Sequence, residues 1–475
     1  MPSSVFNLRV PLPNDDVFFM NTLTDAQVVV SSDVAALIDG DVTPGALDQE
    51  AREAFEQLVD NGFITPGRDY DRDILNRYLT QVANDTSELN VTVLTTLQCN
   101  FACDYCFQGD HGDYNKFADK MSMETAVRVG DWIERELDRI HPEKLTLTFF
   151  GGEPLLNVPV MYYLAERLWH ATERRGVQQI ASMITNGLLL TEEIVDRMLP
   201  WGFKGAKITL DGDRDTHNRM RPLRGGQGSF ERIVENIRRV ADKCMIAIGG
   251  NFDDSSVESF PALLQFLKEQ EFGSKLVKVN FKPVVRTAED AGVHLKGKPA
   301  LKGILPLIPV NASGAPLKPL GGTCMTSAGA GTASTCDSCH SLDDQMTFLR
   351  DETRRAGFNT PDGVHNGPCH VHIKHAHTIG PDGALYACPG FTGEKGMSTG
   401  HIDDRRDPLR ERVHEQFDRL SPWDACGDCA FIPVCAGGCI AASHATLGDM
   451  NTPACHKRSY ESAVISLAHQ FASIS

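Results

Sequence analysis

The sequence predicts an α/β protein: a partial barrel of six β/α units, preceded by a small α+β module and followed by a loop-rich region organised by metal. Three observations carry this. From residue 89 onward, strand-like and helix-length segments alternate six times, the pattern of parallel β/α units. Fourteen cysteines include two groups, near residue 100 and beyond residue 368, whose spacing suits metal rather than disulfides. A chain of 475 residues, 41% hydrophobic and 23% charged, has an ordinary globular composition but is too long for one core.

Residues 1–88 open with strand-like stretches at 6–10, 17–21 and 27–30. A helical pattern follows, with Leu47, Ala51, Ala54, Phe55 and Leu58 near a 3.6 period and a stop at Asn61-Gly62. This stretch holds 16 Asp/Glu against 5 Arg and no Lys, so −11 of the net charge of −17 lies here. Such a module is too small to be the catalytic domain. Its acidity reads either as a solvated surface or as steering of a basic partner. The overall charge argues against a nucleic-acid partner, which needs clustered Lys and Arg. No apolar run reaches the length of a membrane span, and Met1-Pro2-Ser3-Ser4-Val5 lacks the form of a secretion signal, so the expected place is the cytoplasm.

The barrel strands are expected at 90–96, 144–150, 180–185, 206–210, 245–251 and 276–281. Helices are expected at 123–140, 158–175, 192–199, 230–242 and 257–270. Six units fit a partial barrel better than a closed eight-stranded one, and chemistry in such folds gathers at the strand C-terminal ends. Residues 283–340, rich in Pro, Gly, Ser and Ala, read as a linker or lid. A helix at 343–356 then leads into the cysteine-dense region, 341–475.

Cys99, Cys103 and Cys106 follow the first barrel strand, spaced four and three positions apart. Three thiolates this close hold three irons of a cubane and leave the fourth open, where an ordinary [4Fe–4S] site takes four cysteines. The alternative is a zinc site lacking a histidine. Further on, Phe149-Phe150-Gly151-Gly152-Glu153-Pro154 ends the second strand, Thr185-Asn186-Gly187 the third, and Asn251 the fifth. The fourth runs into Asp211-Gly212-Asp213-Arg214-Asp215-Thr216-His217-Asn218-Arg219-Met220-Arg221. Two adjacent glycines permit a close backbone approach to a ligand.

Together these motifs resemble the radical S-adenosylmethionine (SAM) family, including the aromatic Phe107 after the third cysteine. The resemblance implies a SAM-binding cluster on Cys99, Cys103 and Cys106. It assigns Gly151, Gly152, Glu153 and Pro154 to the SAM amino group, and Thr185 and Asn186 to its ribose and carboxylate. Asn251 is a weaker ribose candidate. Arg221 is a candidate for the SAM carboxylate and Asp211 for orienting groups near the radical, although a structural salt bridge explains that pair almost as well. Asn218 stands where the family usually has Asp.

The C-terminal spacing, Cys369 and Cys388 followed by Cys426, Cys429, Cys435, Cys439 and Cys455, resembles the SPASM extension. That resemblance implies two auxiliary [4Fe–4S] clusters, three clusters in all: one on Cys369, Cys388 and Cys439, the other on Cys426, Cys429, Cys435 and Cys455. A zinc ribbon would explain Cys426 and Cys429 alone. Gly363 stands where sulfatase-type relatives carry an eighth cysteine, so the first auxiliary cluster either has an open iron or is completed from upstream by Cys336, Cys339 or, less readily, Cys324. Pro389 replaces the proton-accepting Asp of sulfatase-maturing relatives, and residues 379–390 resemble the peptide-maturase branch instead. His370, His372, His375 and His377 read as strand surface or cluster surroundings, with a catalytic base among them the sharper alternative. Cys244 reads as a buried apolar residue. Residues 1–88 resemble the winged-helix peptide-recognition element of peptide-modifying relatives, the alternative being a structural cap.

The implied activity is an oxidoreductase that cleaves SAM, uses the 5′-deoxyadenosyl radical to take hydrogen from an unactivated C–H bond, and modifies a ribosomally made precursor peptide. The implied product is an intramolecular thioether, ether or carbon–carbon crosslink, with the precursor's leader bound by the front module and flavodoxin or ferredoxin as electron donor. The alternatives are oxidation of a side chain in a folded protein, dehydrogenation of a small molecule, or a non-catalytic iron–sulfur scaffold.

Overall fold

The structure, a computed structural model, describes all residues except 41–44, 46, 107–117, 286–336, 362, 366, 404–405 and 473–475. The expectations for Phe107, Cys324, Cys336 and most of the 283–340 linker lie outside the described residues.

The N-terminal unit is an antiparallel sheet of β1 (Asn7–Pro11), β2 (Val17–Asn21) and β3 (Gln27–Val30), followed by α1 (Ser32–Asp39), α2 (Gln49–Asp60) and α3 (Arg68–Ala83). One face of β2, with Val17 and Phe19, packs on Ile38, Phe55 and Leu58. The other face, with Phe18 and Met20, packs on the C-terminal region at Phe431 and Val464. The module is therefore clamped to the far end of the chain by apolar surface on both sides of one strand.

The barrel strands are β4 (Glu88–Thr96), β5 (Lys144–Gly151), β6 (Gln178–Thr185), β7 (Phe203–Thr209), β8 (Met245–Phe252) and β9 (Leu276–Pro283), all parallel and paired in sequence order. Between them run α4 (Met123–Ile140), α5 (Val158–Glu173), α6 (Glu192–Met198), α7 (Arg214–Met220), α8 (Phe230–Val240) and α9 (Phe260–Glu269). Helix α4 shows why these segments fold locally. Ser122 Oγ caps it by accepting from Thr125 N at 3.0 Å, and the chain leaves it through His141 in the left-handed region. Its buried stripe of Ala126, Val129, Ile133 and Leu137 repeats at helical spacing.

Each strand has two unlike faces. Leu145, Leu147 and Phe149 are buried against the helices, whereas Thr146, Thr148 and Phe150 on the opposite face are only half-buried. Asn90, Thr92, Ser182, Lys207 and Thr209 continue this second, polar face. The helix-covered sheet therefore turns a polar, half-buried face to its open side, a chamber rather than a packed barrel interior, and it does not close on itself.

The segment after residue 336 covers both edges of this sheet. Helix α10 (Asp337–Arg355) packs on β9. Strands β10 (Ala376–Ile379), β11 (Ala384–Tyr386) and β12 (Gly400–His401) extend the sheet from β4, with β10 parallel to it at Ala376↔Asn90 through Ile379↔Val93. The resulting order is β12-β11-β10-β4-β5-β6-β7-β8-β9. Short helices α11 (Pro408–Asp418), α12 (Ile432–Cys435) and α13 (Ile440–Leu447) and the longer α14 (Lys457–Ala472) complete the chain. Among the described residues no helix is long and apolar enough to cross a membrane.

Candidate active site

Strand β4 ends in the loop that carries the first three cysteines, and neighbouring backbone fixes that loop on two sides. On one side, Gly152 N and Glu153 N donate to Thr96 O (2.9 Å) and Gln98 O (2.8 Å). Gly151 has φ +134°, and a Cβ there would collide with Thr96 O; one on Gly152 would collide with Gln98 O and Leu97 O. What the paired glycines admit is the backbone of the cysteine loop itself. On the other side, Ala102 N donates to Pro222 O (2.9 Å), Arg224 N to Asn100 O (3.1 Å) and Arg224 Nε to Cys99 O (2.9 Å).

Glu153 is fully buried, yet its carboxylate is well supplied: Leu155 N and Thr185 Oγ1 donate to Oε1 at 3.0 and 2.7 Å, and Asn186 N to Oε2 at 2.8 Å. Burial pushes the carboxyl up, and these donors pull against it. The residue thus ties the end of β5 to the end of β6. Asn186 continues the tie, its Nδ2 donating to Asn100 Oδ1 at 2.7 Å and lying 4.0 Å from Cys99 Sγ. Pro154 starts the short 3-10 turn that Glu153 caps.

Deeper in the loop lies a buried knot that sequence reasoning identified only in part. Asp211, which is 0% exposed, accepts from Asn251 N at 2.6 Å and from the Tyr105 hydroxyl. Arg221 Nη1 donates to Tyr105 Oη at 2.7 Å and reaches Asp211 Oδ2 at 3.5 Å, with its guanidinium over the Phe101 ring. Burial pulls Arg221 down, but Tyr105, Cys103 and Asp211 more than offset it and hold the group charged. Burial also drives the Tyr105 hydroxyl upward, so it stays protonated as the donor to Asp211. The structure thus joins Asp211, Arg221 and Asn251 and adds Tyr105, whose only signal in the sequence is its position between the second and third cysteines.

His217 supports this knot from behind. Its Nδ1 accepts from Asp211 N at 3.2 Å, so Nε2 carries the proton toward Ser229 Oγ at 3.1 Å. Burial, with Arg221 adding to it, pulls His217 from 6.5 down to about 3. Below pH 6.5 the unfolded chain takes a proton that the folded chain refuses, so stability falls as the pH drops from 6.5 toward 3. His217→Gln, which keeps an acceptor and loses the titration, is expected to flatten that part of the stability curve, read as urea midpoints across the interval. Asn218 Oδ1 accepts from Ser229 N (2.8 Å) and Phe230 N (3.1 Å), capping α8. The position needs an acceptor, which explains why Asn serves in place of Asp. Asn218→Asp is expected to leave thermal stability nearly unchanged and Asn218→Ala to lose about 1–2 kcal/mol.

The loop's donor set fits an iron–sulfur group. Burial raises the Cys99 thiol to about 12 and raises Cys103, against the pull of Arg221, and both thiols feel neighbouring cysteine charge. Binding iron would displace the protons that burial holds there. Arg221 Nε is a buried donor without a partner among the described residues, within electrostatic reach of both thiols. Cys106 is exposed.

The C-terminal cysteines separate into two electrostatically coupled sets. Cys388, pushed up to about 12 by burial, feels Cys369 and Cys439. Cys426, also pushed to about 12, feels Cys429, Cys435 and Cys455. Among the described residues no three His, Cys, Asp or Glu converge tightly enough for a single ion; a four-iron cubane is a larger body whose ligands stand farther apart. Tyr460 hydrogen-bonds Cys435 and stacks on Phe431 at 5.4 Å, a support that the sequence reading missed. Cys339 falls in the first turn of α10. Cys244 is half-buried against the barrel core. His377 on β10 meets Trp132 edge-on and His372 meets Trp423; burial lowers each to about 4, so both rings are neutral at pH 7. Both line a cavity of about 450 Å³ between α3 and α11, away from the chamber.

Residues 93–257 match the radical SAM superfamily, and this part of the chain is a radical SAM domain. Among curated proteins, Fe-coproporphyrin III synthase of Methanosarcina barkeri is 24% identical over 205 residues, 43% of this chain and 46% of that protein. The radical SAM cyclopropyl synthase TigE of Paramaledivibacter caminithermalis is 25% identical over 204 residues, 40% of this chain and 41% of that protein. The chain thus spans about half the length of the curated relatives it matches. Among solved structures, native anSMEcpe with bound AdoMet superposes with a TM-score of 0.55 at 14% identity, over 81% of this chain and 98% of that one. That likeness establishes the fold.

Proposed function

We propose that this chain, with its radical SAM domain, is an oxidoreductase that modifies a ribosomally made precursor peptide by oxidative intramolecular crosslinking. The observation that carries the proposal is that two sets of thiols lie beside the barrel strands. Cys99 and Cys103 stand at the head of β4, and Cys369 and Cys388 lie within electrostatic reach of Lys282 on the last barrel strand. A reaction that begins by abstracting hydrogen and ends as a net oxidation has use for a redox centre at each end of its substrate.

Cys99, Cys103 and Cys106 would hold the SAM-binding cluster, and the two C-terminal sets would hold the auxiliary ones. When bound, the first cluster reduces SAM and supplies the radical chemistry. The chain's own residues do the positioning. Glu153 locks the strand ends around which SAM would sit, and Arg221, held charged by Tyr105 and Asp211, offers a cation beside the loop. Among the described residues β3 pairs only with β2, so the N-terminal sheet keeps an edge on which a leader could add as a strand. Native anSMEcpe with bound AdoMet and Cp18Cys peptide, similar in fold (TM-score 0.52, 16% identity), supports a peptide substrate, and Pro389 argues against formylglycine formation. Flavodoxin or ferredoxin would supply the electron.

The test is anaerobic co-expression with the short open reading frame nearest the gene, followed by mass measurement of the peptide. Loss of two hydrogens per site is the expected result. An unchanged peptide, with SAM cleavage proceeding in its absence, would overturn the peptide reading in favour of a folded-protein or small-molecule substrate. Absence of SAM cleavage from protein carrying its clusters would favour a scaffold.

A further inference from the structure

Three lysines stand together on the open face of the last barrel strands. Lys207 on β7 is in register with Ala247 on β8 and, through it, with Lys278 on β9; Lys282 further along β9 is in register with Asn251. Residues in register on parallel strands share a face. The intervening Ile208, Ile248 and Val279 are buried against the helices, which puts the lysines in the chamber. The Lys207 side chain crosses Gly249: a Cβ there would collide with Lys207 Cε and lie 3.2 Å from Nζ. Because Gly249 lies two residues beyond Ala247, the amine is carried toward the end of β8, where Asn251 joins the Tyr105–Asp211 knot.

Burial, and after it the charges of Lys282 and Lys278, pull Lys207 from 10.5 down to about 8. Lys282 also senses Cys369 and Cys388. The amines therefore occupy the ground between the cysteine loop and the first C-terminal set of thiols. Gathering like charges is unfavourable unless an anion joins them. This chain carries 63 Asp/Glu, yet among the described residues no carboxylate forms an ion pair with any of the three.

We propose that Lys207, Lys278 and Lys282 anchor an anionic oxygen group of the substrate, the carboxylate of an acidic residue next to the position that reacts. This rests on the peptide reading above. The carboxylate replaces the water that solvates the amines, and three charge-assisted hydrogen bonds fix the peptide between the two redox sites. An acidic residue beside the modified one would then be a requirement of the substrate.

Calorimetric titration of the reconstituted, SAM-bound protein tests this with three probes: N-acetylglutamate methylamide, its glutamine counterpart and inorganic phosphate. The glutamate probe is expected to bind at least about tenfold more tightly than the glutamine probe. Lys278→Met and Lys282→Met alter exposed side chains and are each expected to weaken it about tenfold. Lys207→Arg should retain binding and Lys207→Met should lose it. Equal binding of the two amino-acid probes, or wild-type binding by the Met variants, overturns the proposal. Tight phosphate binding without glutamate binding overturns it too, in favour of a phosphorylated substrate. No arm requires SAM to be cleaved, so failure here is distinct from failure of the radical-enzyme reading.

Discussion

Asp211→Ala is expected to destabilise the barrel by about 3–5 kcal/mol, read as a lowered urea midpoint with an unchanged transition slope. Asp211 is 0% exposed and is the carboxylate that faces the buried guanidinium of Arg221. Removing it leaves that charge uncompensated and also strips Asn251 N of its 2.6 Å acceptor. If the cost is that of a stranded charge, Arg221→Met in the same chain should restore part of it, a coupling that separate effects would not show. Tyr105→Phe removes only the hydroxyl bridging the pair and should lose less. A cost below about 1 kcal/mol for Asp211→Ala would mean that the knot contributes no more than an exposed ion pair. Arg221 would then have to be neutralised by the cysteine loop instead.

The periodic elements were the legible part of this chain. Residues 123–140 fall where helical spacing puts them, because that helix buries one stripe, and 17–21 and 27–30 fall where short apolar runs put them. Helix α3 was not anticipated: its first half is crowded with charge, and Leu75 and Leu79 are its only buried apolar anchors, a stripe too thin to read. The attachment of β10 to β4 was equally hidden, since four residues of mixed polarity carry no sign of their partner. At the site, motif spacing located the loop, the paired glycines, Glu153 and the Asp211–Arg221 pair, but not what each touches. Gly151 and Gly152 serve the backbone of the cysteine loop, and Asn218 serves as a helix cap. Tyr105 and Lys207 were missed because each matters only through a neighbour distant in sequence: Asp211 for one, Gly249 and Lys282 for the other.

Cys435→Ala is expected to remove about four of about twelve irons from the reconstituted chain, and Cys388→Ala a different four. The two sets are separated by which thiols feel one another, so loss at one should leave the spectroscopic signature of the other, and that of the SAM-perturbed cluster, intact. Folding should follow the metal. Cys435 packs against an apolar cluster that joins Phe431, Val434, Val464 and the stacked Tyr460 to the face of β2 that carries Phe18 and Met20. Without a cluster, burial leaves Cys435 a neutral thiol, raised to about 11. The Cys435→Ala chain should therefore become protease-sensitive both beyond residue 420 and in the N-terminal sheet that packs there, while Tyr460→Phe, which loses one hydrogen bond to sulfur, keeps its iron. If Cys435→Ala and Cys388→Ala remove the same irons, the C-terminal cysteines serve one cluster.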